Sequence, residues 1–285
     1  MSELLLCATQ LTKRFGGLAA VNEVSVDLFR DRIHAVIGPN GAGKSTLTNL
    51  LSGDLPPTSG QIRLGQIEIA GKNPERISRL GLGRSYQKTN IFLPFTVWDN
   101  VRLAAQSVER HAPWNPVHWL SKARKDRSVN LRCERALELA GLTLRAHTVA
   151  GHISHGEQRQ LEIAMTLATE PSVLLLDEPL AGMGQAEAES MIELLHKLKK
   201  HHAMMLVEHD MDAVFALADQ LTVMVNGQVI ATGTPAEVRA DSNVQAAYLG
   251  DASDTPWAPP PPGGIYGSTA KPLLQESGQK GSGAA

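Results

Sequence analysis

A chain of 285 residues, 42% hydrophobic and 20% charged, is globular rather than disordered and can bury a sizeable core as one large domain or two small ones. Its formal net charge of -2 lacks the basic excess of a nucleic-acid binder, so no nucleic-acid partner is expected. Two cysteines, Cys7 and Cys133, provide neither a disulfide framework nor a metal cluster and fit a reducing cytosol.

The opening Met1-Ser2-Glu3-Leu4 has no basic region and reads as neither signal peptide nor anchor. No window approaches the roughly 18 to 20 apolar residues of a spanning helix. At a membrane, something else must hold this chain. Leu4 to Thr9 reads as a first strand, Lys13 to Gly17 as a turn, and Val24-Ser25-Val26-Asp27-Leu28 as a half-buried strand of period two. Phe15 is the one aromatic of the turn; such a residue packs into a core or stacks on an adenine ring.

The apolar run Ile33 to Ile37 leads directly into Gly38-Pro39-Asn40-Gly41-Ala42-Gly43-Lys44-Ser45-Thr46, which fits G-x-x-x-x-G-K-[ST] without mismatch. Strand, loop and helix in that order form a phosphate cradle. Glycines let the backbone wrap close to an anion, N–H groups and the helix N-terminus face it, Lys44 supplies positive charge, and Ser45 is placed for magnesium. Nucleotide phosphate binding follows.

The helix after this loop is expected to end near Gly53, with a hairpin over Gln61 to Ile69 and a new helix opened by Asn73-Pro74-Glu75. Gly83 to Gln87 is a short strand leaving into a loop at Gln87. Helical periodicity resumes at Thr96 and runs to about Leu142, interrupted by His111 to Trp119 and the basic Lys122 to Arg127. That interruption holds Trp114 and Trp119 and reads as a solvated face with aromatic packing, or as a contact with a membrane partner or lipid headgroups.

Ile153 to Gln158 precedes a helix expected from Arg159 to Thr169, and Ser172 to Leu176 is an all-apolar strand ending in Asp177-Glu178. A helix over Gln185 to Lys200, a strand Met204 to Glu208, His209 and a helix over Asp210 to Asp219 continue the alternation of a parallel α/β sheet. Leu221 to Ala231 about Asn226-Gly227 is the strongest hairpin signal. From 251 to 285 the Pro/Gly/Ser-rich composition predicts a disordered tail.

Asp177, ending a hydrophobic strand downstream of the phosphate loop, is placed as the second magnesium ligand beside Ser45. Glu178, one position further, is placed to orient or deprotonate a water for in-line attack, which is hydrolysis. With Gln87 and Ile153-Ser154-His155-Gly156-Glu157 between loop and carboxylates, the chain resembles the ATP-binding subunits of ABC transporters over about Leu4 to Gly250.

The resemblance implies an α/β fold: a P-loop NTPase core with an antiparallel β subdomain and an inserted α-helical subdomain. One domain would span 1–250, with the helical insertion at about 90–165. It implies ATP and Mg2+ as ligands, Phe15 stacking on adenine, and Ser45, Gln87 and Asp177 around the magnesium. Glu178 becomes the catalytic base and His209 the γ-phosphate switch. Ser154, His155, Gly156 and Glu157 form a signature that completes the site of a second ABC ATPase subunit, a sister chain or an identical copy, across a sandwich. Partners would be transmembrane permease chains at the cytoplasmic face of the inner membrane and, indirectly, a periplasmic substrate-binding protein.

Arg14 to Asn22, the His-Gly-Glu form of the signature, Ala181-Gly182-Met183, Val207 to Met211 and Ala247 to Gly250 are similar to importers of branched-chain and related amino acids. Urea importers and lipopolysaccharide exporters share parts of this pattern. Two positions depart from the general pattern: Glu157 replaces the signature glutamine, and Gly184 replaces the usual aspartate. One phosphate loop, one signature and an insertion of ordinary length weigh against soluble DNA-repair or translation ATPases.

Overall fold

The computed structural model describes residues 2–86, 90–108 and 127–249. Gln87, the Trp114/Trp119 segment and the 251–285 tail lie outside the described residues. In chain order the elements are β1 (Leu4–Phe15), β2 (Leu18–Phe29), β3 (Ile33–Ile37), α1 (Lys44–Ser52), β4 (Ser59–Leu64), β5 (Ile67–Glu68), α2 (Pro74–Arg79) and β6 (Leu82–Arg84). Then come α3 (Val97–Ser107), α4 (Arg127–Leu139), α5 (His155–Leu167), β7 (Val173–Asp177), α6 (Gln185–Lys199), β8 (Ala203–Val207) and α7 (Met211–Leu217). The chain continues through β9 (Gln220–Val225), β10 (Gln228–Gly233), α8 (Pro235–Ala240) and α9 (Ser242–Leu249).

Two sheets organise these elements. An antiparallel sheet has the order β2-β1-β4-β5, and a second sheet the order β10-β9-β3-β8-β7-β6. The second is parallel except for the β9-β10 hairpin. Every residue of β3, β7 and β8 is buried, because side chains of alternate residues enter two different cores. Ala35, Ile37, Leu174, Leu176 and Leu206 face the helical side. Val36, Val173, Leu175, Met205 and Val207 join α1 and the antiparallel sheet on the other.

Two sequence expectations change here. The turn over Lys13 to Gly17 shrinks to Gly16-Gly17, since Lys13, Arg14 and Phe15 continue the β1 ladder opposite Val21, Ala19 and Leu18. Register shifts where Gln10 and Glu23 take positive φ (48° and 55°) break the period-two pattern and hide the true strand lengths. The helix expected from Arg159 starts at His155, capped by Ser154. Its first turn is polar, so the apolar period begins one turn after the helix does.

Helix ends follow local chemistry. Asn73 and Thr96 cap α2 and α3 through their side chains, and Gly53 closes α1 in the left-handed conformation. Helices α3, α4 and α5 share Val97, Val101, Cys133, Ala136 and Leu161 in one core. Among the described residues no helix is long and apolar enough to cross a membrane. The chain leaves β3, β7 and β8 at the same edge of the parallel sheet, the edge where ligands bind in open α/β sheets.

Candidate nucleotide-binding site

The loop between β3 and α1 is built by its neighbours as much as by its own glycines. A Cβ on Gly38 would stand 2.1 Å from the Met224 carbonyl oxygen, and one on Gly43 would stand 2.3 Å from that of Ala20. Gly43 also has φ of 101°. The hairpin turn supports the loop from behind: Gly227 N–H donates to the Ala42 carbonyl (3.0 Å), and Asn22 N–H donates to the Gly227 carbonyl (2.8 Å). Lys44 Nζ folds back on the loop and donates to the carbonyls of Gly38 (2.6 Å) and Pro39 (3.1 Å). Burial lowers its pKa, opposed by the carboxylates of Glu178 and Asp177. A cation held by carbonyls in a glycine-lined cradle fits an anionic ligand of several phosphates. Asn40 and Ser45 are exposed and Thr46 is half-buried.

Asp177 ends β7, and burial raises its pKa against the opposing charges of Arg84, Lys44 and Arg159. Its partner Arg84 comes from β6: Nη2 lies 3.9 Å from Asp177 Oδ2, while Nη1 is 2.6 Å from Asp54 Oδ2 and 2.7 Å from Ser52 Oγ. Glu178 stands at the turn after β7 with φ of 48°, and its N–H donates to the Val207 carbonyl of β8 (2.9 Å). A left-handed backbone on a non-glycine costs on the order of 1 kcal/mol and persists where surroundings over-determine it. The strand ladder does so here.

His209 follows β8, with Nδ1 3.9 Å from Glu178 Oε1 and 3.8 Å from Glu208 Oε2. Glu208 is fully buried and accepts hydrogen bonds from the N–H groups of Leu180 (3.0 Å) and His209 (3.2 Å). Burial raises its pKa, opposed by those two donors. One carboxylate thus ties the loop carrying Glu178 to the loop carrying His209.

The signature residues form a second cluster. Ser154 Oγ accepts from Glu157 N–H (3.2 Å), and Glu157 Oε2 accepts from Ser154 N–H (2.9 Å), a complete capping box at the start of α5. Arg145 Nε holds the other Glu157 oxygen at 2.7 Å, so the replacement of glutamine at this position leaves the cap intact. Glu187 of α6 receives hydrogen bonds from Ser154 Oγ (2.9 Å), Gly156 N–H (3.2 Å) and Gly184 N–H (3.4 Å). The first two hold its carboxyl below the usual range. His155 is exposed.

Gly38 to Thr46, Asp177, Glu178 and His209 therefore share one edge of the sheet, whereas Ser154 to Glu157 are bonded to Glu187 and Arg145. Phe15, half exposed, lies at the end of β1 with Lys13 Nζ 5.3 Å from its ring centroid, so it is not a core residue. Sequence reasoning gave no role to Arg84, Glu187 or Glu208. Glu208 had a usable signal: it ends an all-apolar run just as Asp177 does.

The model of the ABC transporter family matches residues 21–181, and that of the branched-chain amino acid ATP-binding cassette transporter matches residues 228–254. High-affinity branched-chain amino acid transport ATP-binding protein LivG of Salmonella typhimurium is 38% identical over 255 residues, 88% of this chain and 100% of the relative. The corresponding protein BraF of Pseudomonas aeruginosa is 38% identical over 258 residues, again 88% and 100%. The ADP conformation of an ATP-binding cassette of an ABC transporter superposes with a TM-score of 0.77 at 29% identity, covering 88% of this chain and 100% of that one. The phosphate cradle, the carboxylates at its rim and these end-to-end likenesses agree: the chain belongs to the ABC transporter family, in its branched-chain amino acid branch, and is an ATPase.

Proposed function

We propose that this chain is the ATP-hydrolysing subunit of an importer for branched-chain amino acids, seated on separate permease chains at the cytoplasmic face of the inner membrane and served by a periplasmic substrate-binding protein. The observation that carries this reading is likeness along the whole length of two branched-chain amino acid transport ATP-binding proteins, with a C-terminal match at residues 228–254.

Residues 1–250 act as one nucleotide-binding domain whose insertion, about 90–165, contains α3, α4 and α5. Gly38 to Thr46 hold the phosphates and Phe15 stacks on the adenine. Ser45 and Asp177 offer only oxygen donors, which suits a hard cation, Mg2+; Gln87 joins them on sequence position. A magnesium held there would supply positive charge against the phosphates. Glu178 takes a proton from water while the water oxygen bonds to the γ-phosphorus and the bond to ADP breaks. His209, with Nδ1 3.9 Å from Glu178 Oε1, donates a hydrogen bond to the γ-phosphate. Ser154, His155, Gly156 and Glu157 complete the γ-phosphate site of a second ATPase subunit, sister or identical, using the dipole of a helix N-terminus.

Uptake of radiolabelled leucine by a host lacking this chain tests the reading. Wild type restores uptake and Glu178→Gln does not. Unimpaired uptake in the host lacking the chain overturns the assignment.

A further inference from the structure

The N-terminus of α5 already holds an anion. Glu187 places one carboxylate oxygen against Ser154 Oγ and Gly156 N–H, and the other against Gly184 N–H. The fit is close: a Cβ on Gly156 would meet the Glu187 carboxylate carbon and Oε1 at 2.8 Å. Gly156 lies in the first turn of α5, where N–H groups have no intrahelical acceptor. Its bond to Glu187 is therefore an alternative to a bond with a phosphate oxygen.

We infer that Glu187 is a built-in competitor: in a separated subunit its carboxylate occupies the anion position at the start of α5 that the γ-phosphate on a second subunit takes when two subunits close. The inference rests on the two-subunit reading above. Closing then requires Glu187 to release Ser154 and Gly156. Both ligands are oxygen anions recognised by the same hydroxyl and N–H, so they exclude each other by charge as well as by space.

Release also has a defined consequence. Glu187 stands in the first turn of α6, directly after Ala181-Gly182-Met183-Gly184. The same loop begins at Glu178 and is pinned at Leu180 N–H by Glu208. At Gly182 the ring of His155 lies 3.6 Å from where a Cβ would stand. Exchange of Glu187 for phosphate therefore unties the signature helix from the loop that carries the catalytic base. A contact with differential affinity for two states shifts their populations in proportion to that difference.

The experiment uses the full chain carrying Glu178→Gln, with Glu187 intact, Glu187→Gln or Glu187→Ala, and follows dimer formation against ATP concentration by sedimentation velocity with magnesium. Removing the competitor lowers the half-saturating ATP concentration by about fivefold or more, the usual scale of such coupling. Dimerisation of Glu178→Gln at unchanged or lower ATP than both Glu187 variants overturns the competitor alone. Absence of any dimer overturns closure of identical copies and the competitor with it. A pairing-independent arm reads amide exchange at 154–157 in the nucleotide-free chain: protection at Gly156 is lost in Glu187→Ala, and unchanged protection overturns the contact itself.

Discussion

His209 Nδ1 lies 3.9 Å from Glu178 Oε1 and 3.8 Å from Glu208 Oε2, so one imidazole sits between the half-buried carboxylate after β7 and the buried one after β8. Glu208 is fixed by two backbone donors. The geometry is that of a fixed anchor, a ring and a second carboxylate, with the ring within 4 Å of both.

Glu178→Gln should lower turnover by about a hundredfold or more, the usual contribution of a general base, while nucleotide binding persists. Glu178→Gly should lose turnover equally yet melt no lower than Glu178→Gln, because glycine adopts the φ of 48° without strain. Phosphate release and thermal melts check both. A Gly variant that melts clearly below Gln would show that the backbone here is unstrained.

The phosphate loop contains a graded pair of glycines. Gly41→Ala meets nothing within 4 Å at φ of 80°, so it should cost only backbone strain, about 1 kcal/mol. Gly43→Ala adds a clash with the Ala20 carbonyl at 2.3 Å and should cost about 3 kcal/mol or more. Urea unfolding of the two variants without nucleotide gives the comparison, and equal losses would contradict it.

Burial raises the pKa of Glu208 above its ordinary 4.5, so the folded state binds more protons than the unfolded state in the window above 4.5. Stability supplied by this group therefore falls as pH rises from 4.5 through the folded value. Glu208→Gln removes that slope. Urea unfolding between pH 5 and 8 should show wild type losing stability relative to Glu208→Gln as pH rises; parallel curves would refute the raised value.

Glu157→Gln keeps the capping box and loses only the partly exposed pair with Arg145, a loss of less than about 1 kcal/mol. Its turnover should stay near wild type. Ser154→Ala loses the cap, about 1 kcal/mol, and removes the hydroxyl proposed to meet phosphate, so its turnover should fall much further than its stability. Urea unfolding alongside phosphate release separates the two effects.

Much of this protein is written in short stretches of its sequence. The run Gly38 to Thr46 declares its chemistry within nine positions, because phosphate binding by backbone N–H groups is a local property of strand, glycines and helix start. The buried runs of β3, β7 and β8 likewise declare a parallel sheet, and Asn226-Gly227 declares its hairpin. The strand lengths of β1 and β2 were not legible, because bulges at Gln10 and Glu23 break the alternation that marks a strand.

What the tertiary structure alone decided are the contacts between stretches that are silent about one another. Gly38 needs to be glycine because of Met224, and Gly43 because of Ala20. Glu187, an ordinary acid in a helix's first turn, becomes a ligand of the signature only because Ser154 lies across from it, 33 residues away in the chain. Local propensity fixes backbone conformation through interactions a few residues apart. Which carboxylate reaches which donor depends on how the sheet stacks its crossovers, and that is set by burial of both faces of the parallel strands.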